Sequence, residues 1–269
     1  MKQLGFATLS VLALVGCVRK DDGLTDAEAR SAGDALAAGI EDSASGFGKV
    51  SAGTTADATC VVASGDSGDP DLDSIPNNAK LTFDCASTLF GFTGTLTGTM
   101  GVVDDQPAAV AWAFTGMADL DASLTGPDSA SIVRDWSGTI VASQASPVGP
   151  FKLQRTLDVT TVFTGARGAQ TTVTEDNDWA VTFTPMATWT PGAVIVTGKL
   201  AATGSWNITV GEHSATATLA TPTPLTLDPA CASRITAGSV AASYVDDAGN
   251  EGTISVTWSA CGVKTVVRS

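Results

Sequence analysis

The segment VIVTGKLAATGSWNITV, residues 194–210, decides the fold class. From Val194 to Val210 every second residue is apolar or glycine, and most of the residues between them are polar. A period of two places alternate side chains on opposite faces of a β-strand. The segment therefore predicts one strand, roughly 50 Å long at about 3.3 Å per residue, or a strand with a bend at Gly204.

The same alternation recurs along the chain from Ala58 onward. Clusters of Gly, Pro and Asp separate the runs, and no segment between them has the period of a crossover helix, so neighbouring strands should pair antiparallel. We predict an all-β domain over residues 54–269, an antiparallel meander of about ten strands forming a curled open sheet or barrel. The clearest further runs are 110–124, 132–142, 153–163, 179–183, 215–219, 237–245 and 254–260.

One short helix is predicted before the sheet, over residues 25–43. Thr25 and Glu28 have the spacing of a capping box, in which each side chain bonds the other residue's backbone N–H. An apolar stripe follows, and it is thin, because Leu36 and Ile40 are its only large members. The helix lacks Trp and Phe and has Arg30 as its only cation, so we favour packing on the sheet, or over its open end, instead of on a membrane surface.

The chain begins with Lys2 and an apolar stretch from Leu4 to Val15. This stretch has about a dozen residues, whereas a spanning helix needs about 20. It ends in Leu14-Val15-Gly16-Cys17, which resembles the lipobox of bacterial lipoproteins. The resemblance implies that residues 1–16 are a lipoprotein signal peptide. It also implies that Cys17 is the lipid attachment site, carrying diacylglycerol and an N-acyl chain such as palmitate, and that residues 17–24 form a lipidated tether.

The resemblance also implies a location and a role. Val18 follows the cysteine, and an Asp in that place favours inner-membrane retention in enteric bacteria, so we expect the outer membrane, with the body in the cell envelope or periplasm. The whole chain is loosely similar to β-rich envelope lipoproteins of Gram-negative bacteria that carry no known activity. We expect a non-catalytic protein with a structural or protein-binding role. The alternative is a carrier for an apolar ligand, a lipid or glycan, in a half-barrel groove.

The charge of the chain restricts its partners. Its formal net charge is −14, and the chain without residues 1–16 keeps 13 basic and 28 acidic residues. An acidic surface repels phosphate backbones, which excludes nucleic acid as a partner. It also disfavours electrostatic attachment to anionic lipids, which leaves the acyl chains as the membrane anchor. No cofactor is expected besides the covalent lipid on Cys17.

Four cysteines remain after Cys17, an even number that suits an oxidising compartment. Four cysteines allow three pairings. We favour Cys60–Cys85 and Cys231–Cys261, because the members of each pair lie on adjacent strand candidates. A zinc site is not expected, since the chain has no C-x-x-C motif and a single histidine.

Catalytic groups are few. His213 is the only possible histidine base, no G-x-S-x-G elbow is present, and we interpret His213 as an exposed turn residue. Acid pairs can perform general acid–base work, but a solvated sheet face, with Arg134 and Arg155 nearby to balance the charge, is the favoured interpretation. The acid candidates on neighbouring strands are Asp119, Asp121, Asp135 and Asp158.

Two acidic segments are candidate ion-binding sites. Carboxylate oxygens are the ligands that calcium needs, and the best candidates are Asp66, Asp69, Asp71 and Asp73. The order of an EF-hand is absent, and an acidic surface loop is the simpler interpretation. The shorter run Glu175–Asp178 is predicted to be a polar hairpin loop.

Five tryptophans fall on apolar strand faces. Core packing is the default interpretation for all of them. In a half-barrel, some of them would instead line an apolar groove. They are Trp112, Trp136, Trp179, Trp206 and Trp258.

Overall fold

The protein is a single antiparallel sheet with one helix. A computed structural model describes residues 23–46, 60–66, 68–69, 75–89, 92–105, 112–168, 170–189, 196–231 and 233–269. The elements are α1 (Asp26–Gly46), β1 (Val61–Asp66), β2 (Asn78–Leu89), β3 (Phe92–Asp104), β4 (Trp112–Thr125), β5 (Ser131–Gln144), β6 (Phe151–Thr164), β7 (Gln170–Pro185), β8 (Gly198–Val210), β9 (His213–Leu227), β10 (Ile235–Asp246), β11 (Glu251–Ala260) and β12 (Val263–Arg268).

The twelve strands of the described chain lie in the sheet in sequence order, each antiparallel to the next. The sheet is open, with β1 and β12 as its two edges. The predicted all-β curled open sheet is therefore confirmed. The expected count of about ten strands falls short of the twelve observed.

Helix α1 lies against one face of the sheet, which we call the inner face. The predicted capping box is present: the Thr25 N–H donates to Glu28 Oε2 at 2.9 Å, and the Glu28 N–H donates to Thr25 Oγ1 at 3.3 Å. The apolar side chains on the sheet side of the helix are each at most 2% exposed. They are Leu24, Ala29, Ala32, Leu36, Ala37, Ile40 and Ala44. No helix in the described part of the chain has both the length and the apolar character needed to cross a membrane.

The sheet curls around this helix. Helix α1 contacts Arg155 on β6, Trp179 on β7, Trp258 on β11 and Val266 on β12. In a flat sheet with strands about 4.8 Å apart, β6 and β12 would lie roughly 29 Å from each other. A helix is only about 10 Å wide, so the strands between them must curve to reach it.

Four glycines inside strands allow this curvature. Each lies on the inner face with a positive φ, and each faces a large apolar side chain on the neighbouring strand, an arrangement known to bend sheets. At Gly204 φ is +147°, and an added Cβ would collide with the Asp178 carbonyl oxygen. The four pairs are Gly98 with Leu120, Gly138 with Leu157, Gly204 with Trp179 and Gly238 with Trp258.

Strand β9 is longer than the sequence pattern indicated, because it continues through Pro222 and Pro224. The pairing with β8 shifts register between Leu200 and Gly204. The Thr221 hydroxyl replaces the lost ladder bonds, since it accepts from the Ala202 N–H at 2.8 Å and donates to the Ala202 carbonyl at 2.7 Å. Proline is tolerated in a sheet at such irregularities.

The two halves of the inner face differ in coverage. From β6 to β12 the inner side chains are largely buried beneath α1. Strands β1, β2 and β3 contribute no fully buried apolar side chain among the described residues. The core therefore lies between α1 and the C-terminal half of the sheet, and the N-terminal half extends beyond it.

Replacing Gly204 with alanine should lower the free energy of unfolding by about 2–4 kcal/mol, because the new Cβ needs a strained φ and displaces the Asp178 carbonyl. Denaturant titration measures this change. Gly101→Ala on β3 is the matched control: the nearest atom to its added Cβ is Met117 Cε at 3.7 Å. Its stability should stay constant or rise by up to about 1 kcal/mol. Equal effects of the two substitutions would contradict the role given to Gly204.

Candidate functional site

The C-terminal end of α1 is held by a buried arginine. Arg155 on β6 is 7% exposed. Its Nη1 donates to the Gly39 carbonyl at 3.0 Å and to Ser43 Oγ at 2.7 Å. Its guanidinium lies 4.5 Å from the Trp179 ring centroid. These contacts fix the C-terminal half of α1 to the sheet.

The N-terminal end of α1 is held by Asp246, at the end of β10. This carboxylate accepts the Leu24 N–H at 3.1 Å, the Asn250 N–H at 2.8 Å, the Asn250 side-chain amide at 3.1 Å and the Ala248 N–H at 3.1 Å. Burial by itself would raise the pKa of Asp246, but these hydrogen bonds outweigh it and hold the pKa below its usual value. Asp246 thus joins the chain entering α1 to the β10–β11 turn.

Two further side-chain contacts tie α1 to the last strands. Glu41 accepts the Trp258 indole N–H at 3.0 Å and Lys264 Nζ at 3.3 Å. Arg268 donates to Asp26 at 3.0 Å and to the Tyr244 hydroxyl at 2.8 Å. The helix is therefore fixed at both ends to β11 and β12 as well.

A cluster of polar groups, which we call the inner polar cluster, lies on the inner face at Glu175, Asn177, Trp179 and Trp206. Glu175 is 9% exposed, and Asn177 is 1% exposed. The Trp206 indole N–H donates to Glu175 Oε2 at 3.2 Å. Within the described part of the chain, Asn177 Oδ1 and Trp179 Nε1 have no hydrogen-bond partner.

Burial is the largest influence on the pKa of Glu175. Burial raises the pKa of Glu175 above its usual value, although the Trp206 indole, the charges of Arg134 and Arg155, and Asn177 act in the opposite direction. Burial penalises the charged form of a carboxyl group. The cluster therefore offers hydrogen-bonding groups inside an otherwise apolar surface.

The two acidic and amide members of this cluster, Glu175 and Asn177, differ from the sequence-based prediction. Glu175–Asp178 was expected to be a hairpin loop, but it lies in the middle of β7, and the turn before that strand is at Gly165–Gly168. The period of two continues unbroken from Val173 to Phe183, with polar side chains at two inner positions. That continuity is the signal by which the cluster could have been found.

His213 was also predicted wrongly. It was expected to be an exposed turn residue, but it is the first residue of β9 and is 2% exposed. Its pairing with Val210 places it in the inner-face register. Its Nδ1 lies 3.6 Å from Asp247 Oδ1.

The four acid candidates share the opposite, outer face, as predicted, and all are exposed. Asp121 lies directly opposite Asp135 in the β4–β5 pairing. The expected balance by Arg134 and Arg155 is wrong, because both arginines occupy inner-face positions in alternation with the outer-facing acids. The acid candidates are Asp119, Asp121, Asp135 and Asp158.

A shallow groove of about 530 Å³ crosses the outer face from β6 to β10. Its side chains are mostly carboxylates, hydroxyls and amides, which accept or donate hydrogen bonds but include no nucleophile with a histidine base. No group of three or more His, Cys, Asp or Glu residues that could hold a metal ion occurs in the described ranges. The main polar side chains along it are Asp158, Asp176, Asn207, Thr209, Thr216 and Asp247.

The acidic loop that contains the weak calcium candidates is only partly described. Asp66 uses its carboxylate within the protein, since it accepts the Gly68 N–H at 2.9 Å and the Asn77 amide at 3.0 Å. The Asn77 side chain first, and then the Gly68 N–H, lower the pKa of Asp66. Asp69 is described as well, whereas Asp71 and Asp73 lie outside the described residues.

The tryptophans divide between core and partial exposure. Trp179, Trp206 and Trp258 are at most 1% exposed, so the core interpretation is confirmed for them. Trp136 is half-buried, and the side chain of Trp112 lies outside the described part. Trp189 was not among the tryptophans expected in the core from the sequence, but it is 2% exposed and packs edge-on against Phe151 and Phe183.

Both predicted disulfides are present, Cys60–Cys85 and Cys231–Cys261. The first joins the start of β1 to β2 at an edge of the sheet. The second joins the β9–β10 connection to the β11–β12 turn, and Cys231 is 4% exposed. Cys17 lies outside the described residues.

No protein-family model, curated protein or solved structure matches this chain.

Glu175→Gln should leave the free energy of unfolding at neutral pH equal to or above that of the wild type, because it replaces a carboxyl group whose charged form burial penalises with a neutral amide that can still accept the Trp206 indole N–H. A raised pKa means that the folded protein holds its proton more tightly than the unfolded chain. The wild type therefore loses stability as pH rises from about 4.5, the usual pKa of this group, through the raised pKa. The variant should lose less over that range, as measured by denaturant titration at several pH values.

Glu251→Gln, at the exposed start of β11, is the control for the same chemical change, and its effect should stay within about 0.5 kcal/mol. A loss of more than about 2 kcal/mol in Glu175→Gln at neutral pH would mean that the fold needs the carboxylate itself.

The two disulfides should differ in effect. Replacing Cys231 and Cys261 with serine should lower the global free energy of unfolding by about 3–4 kcal/mol, as expected for a loop of this length beside the core. Replacing Cys60 and Cys85 should instead expose mainly the amides of β1, because that strand has no buried side chain. Hydrogen exchange resolved by segment distinguishes a local loss from a global one. Loss of protection in β10–β12 after removal of Cys60–Cys85 would contradict this division.

Proposed function

We propose that this chain is a lipid-anchored envelope lipoprotein with a structural or protein-binding role and no catalytic activity. The observation that carries the proposal is the cysteine pairing. Four of the five cysteines form two disulfides, which suits an oxidising compartment. The remaining one, Cys17, ends the segment that resembles a lipobox.

The position of α1 supports an anchor close to the body. Leu24 follows Cys17 by seven positions and is already 2% exposed. Several acyl chains are needed for stable attachment, and the acidic body offers no electrostatic substitute. Val18 after the cysteine favours the outer membrane.

The placement of the polar groups supports a non-catalytic role. His213 is buried at a strand start instead of lying beside a candidate nucleophile in a cleft. The acids considered for general acid–base work are exposed to solvent on the outer face, where nothing excludes water. The proposed role therefore depends on surfaces and not on a reaction.

A second candidate function is a carrier for an apolar ligand, a lipid or glycan. It is favoured by the inner face of β2–β5, where several large apolar side chains are only half-buried, although Phe114, Leu120 and Ala142 on the same face are buried. A carrier needs such a concave apolar surface. Half-buried side chains on this surface are Leu81, Phe83, Leu96, Leu124, Trp136 and Ile140.

Mass spectrometry of the full chain, expressed with its own N-terminus in a Gram-negative host, tests the anchor. We expect a mature protein that starts at Cys17, carries thioether-linked diacylglycerol and an N-acyl chain, and fractionates with the membrane. A product that retains residues 1–16, or that has an unmodified Cys17 thiol, contradicts the proposal.

Cys17→Ser is the matched control, and it should be released into the soluble fraction with both disulfides intact. The same soluble variant separates the two candidate functions, since it has no anchor lipid of its own. Apolar molecules extracted from it in stoichiometric amount would support the carrier, and their absence would favour the structural or protein-binding role.

A further inference from the structure

The two ends of the sheet are built differently. At one end lie the turns 126–130, 165–169, 211–212 and 247–250 and the C-terminal Ser269; we call this end the proximal rim. None of these connections exceeds five residues. At the opposite, distal end the connections 67–77, 105–111, 145–150, 186–197 and 228–234 have six to twelve residues, and only the turn 261–262 between β11 and β12 is short.

The chain enters the fold at the proximal rim. The Leu24 N–H binds Asp246 beside the 247–250 turn. The Gly211 turn lies next to Glu28, with 3.7 Å between an added Cβ at Gly211 and Glu28 Oε1. Asp26 binds Arg268 at the end of β12. Three separate contacts therefore place the start of α1 at this end of the sheet.

The entry point is also fixed in position. Asp246, which holds Leu24, is itself 5% exposed and is bonded to the Asn250 and Ala248 backbone. The opposite end of α1 is held by Arg155. Seven positions separate Cys17 from Leu24, and a chain of that length spans at most about 25 Å.

The distal end lies beyond that reach. Strand β7 has 16 residues, which corresponds to about 50 Å along a straight strand. An anchor at Cys17 can bring the proximal rim to a bilayer surface, because the rim is where the tether enters. The distal connections are separated from the entry point by the length of the strands.

We propose that the proximal rim faces the lipid bilayer and that the distal connections face away from it; this orientation depends on the proposed lipid anchor at Cys17. The partner of the rim is a lipid surface reached through the acyl chains. Charge attraction does not contribute, because the rim has more acidic than basic side chains. Its charged turn residues and neighbours are Asp128, Arg167, Glu212, Asp247 and Glu251.

Distance-dependent quenching by lipids tests the orientation. Single cysteines at exposed positions receive a fluorophore: Asp128→Cys and Ala166→Cys at the rim, and Val148→Cys and Met186→Cys at the distal end. Val148 is 69% exposed and Met186 is 71% exposed. The full lipidated chain is reconstituted in phosphatidylcholine–phosphatidylglycerol vesicles with a nitroxide headgroup lipid. We expect a loss of fluorescence at both rim positions and none at the two distal positions.

Equal quenching at the two ends, or stronger quenching at the distal end, would overturn the orientation. Each labelled sample is also examined by mass spectrometry for acylation at Cys17. If the protein is acylated at Cys17 but the rim labels are not quenched more than the distal labels, only the proposed orientation is contradicted. If the protein carries no acyl chains, both the proposed anchor and the orientation are contradicted. In a Cys17→Ser background, all four labels should remain unquenched. In the lipidated protein, raised salt should not change the quenching at the rim positions, since charge does not hold the rim at the bilayer surface.

Discussion

The burial of the α1 stripe against the inner face is the constraint on which the rest of the structure depends. A wide antiparallel sheet with one apolar face needs a cover on that face. The helix is narrow where it meets the sheet, because Gly33, Ala37 and Gly39 lie on its contact side. The large side chains are on the sheet: Trp179 packs against Gly39, and Val266 packs against Gly33. Small residues on the helix and large ones on the sheet together allow the close approach, and the glycine bends in the strands bring those large side chains around the helix.

The polar groups on the inner face follow from the same arrangement. Asp246 accepts the Leu24 N–H just before α1, and Arg155 donates to the Gly39 carbonyl and to Ser43 Oγ in the C-terminal half of the helix, so polar contacts hold both halves of α1 on the inner face. Glu175 instead accepts a hydrogen bond from the Trp206 indole N–H, which belongs to the sheet. The interior thus contains charged side chains that complete the fold and a carboxyl group that burial holds toward its neutral form.

The sequence predicted the features that depend on local pattern. Alternation from Val194 to Val210 gave the correct inner and outer faces of β8, and the Thr25–Glu28 spacing gave the start of α1. The predictions from sequence were wrong for buried polar residues whose hydrogen-bond partners are distant along the chain. Glu175 was assigned to a loop because four polar residues in a row suggest a turn, yet its partner Trp206 lies 31 positions away. Arg155 looked like a surface cation, yet its partner Gly39 is 116 positions away. No local pattern contains such pairs.

The placement of α1 also connects the anchor to the core. In a chain with a long free linker, the orientation of a folded body is independent of where its anchor sits. Here Leu24, seven positions after Cys17, is already 2% exposed, and its N–H is bound by Asp246 at the end of β10. In the proposed anchored protein, a displacement of Cys17 would therefore reach β10 and α1 through only a few residues. Because α1 covers only β6–β12, the partly buried inner face of β2–β5 and the polar outer face are the broad surfaces that remain accessible, and a partner of the proposed anchored body would have to be recognised on one of them or at the distal connections.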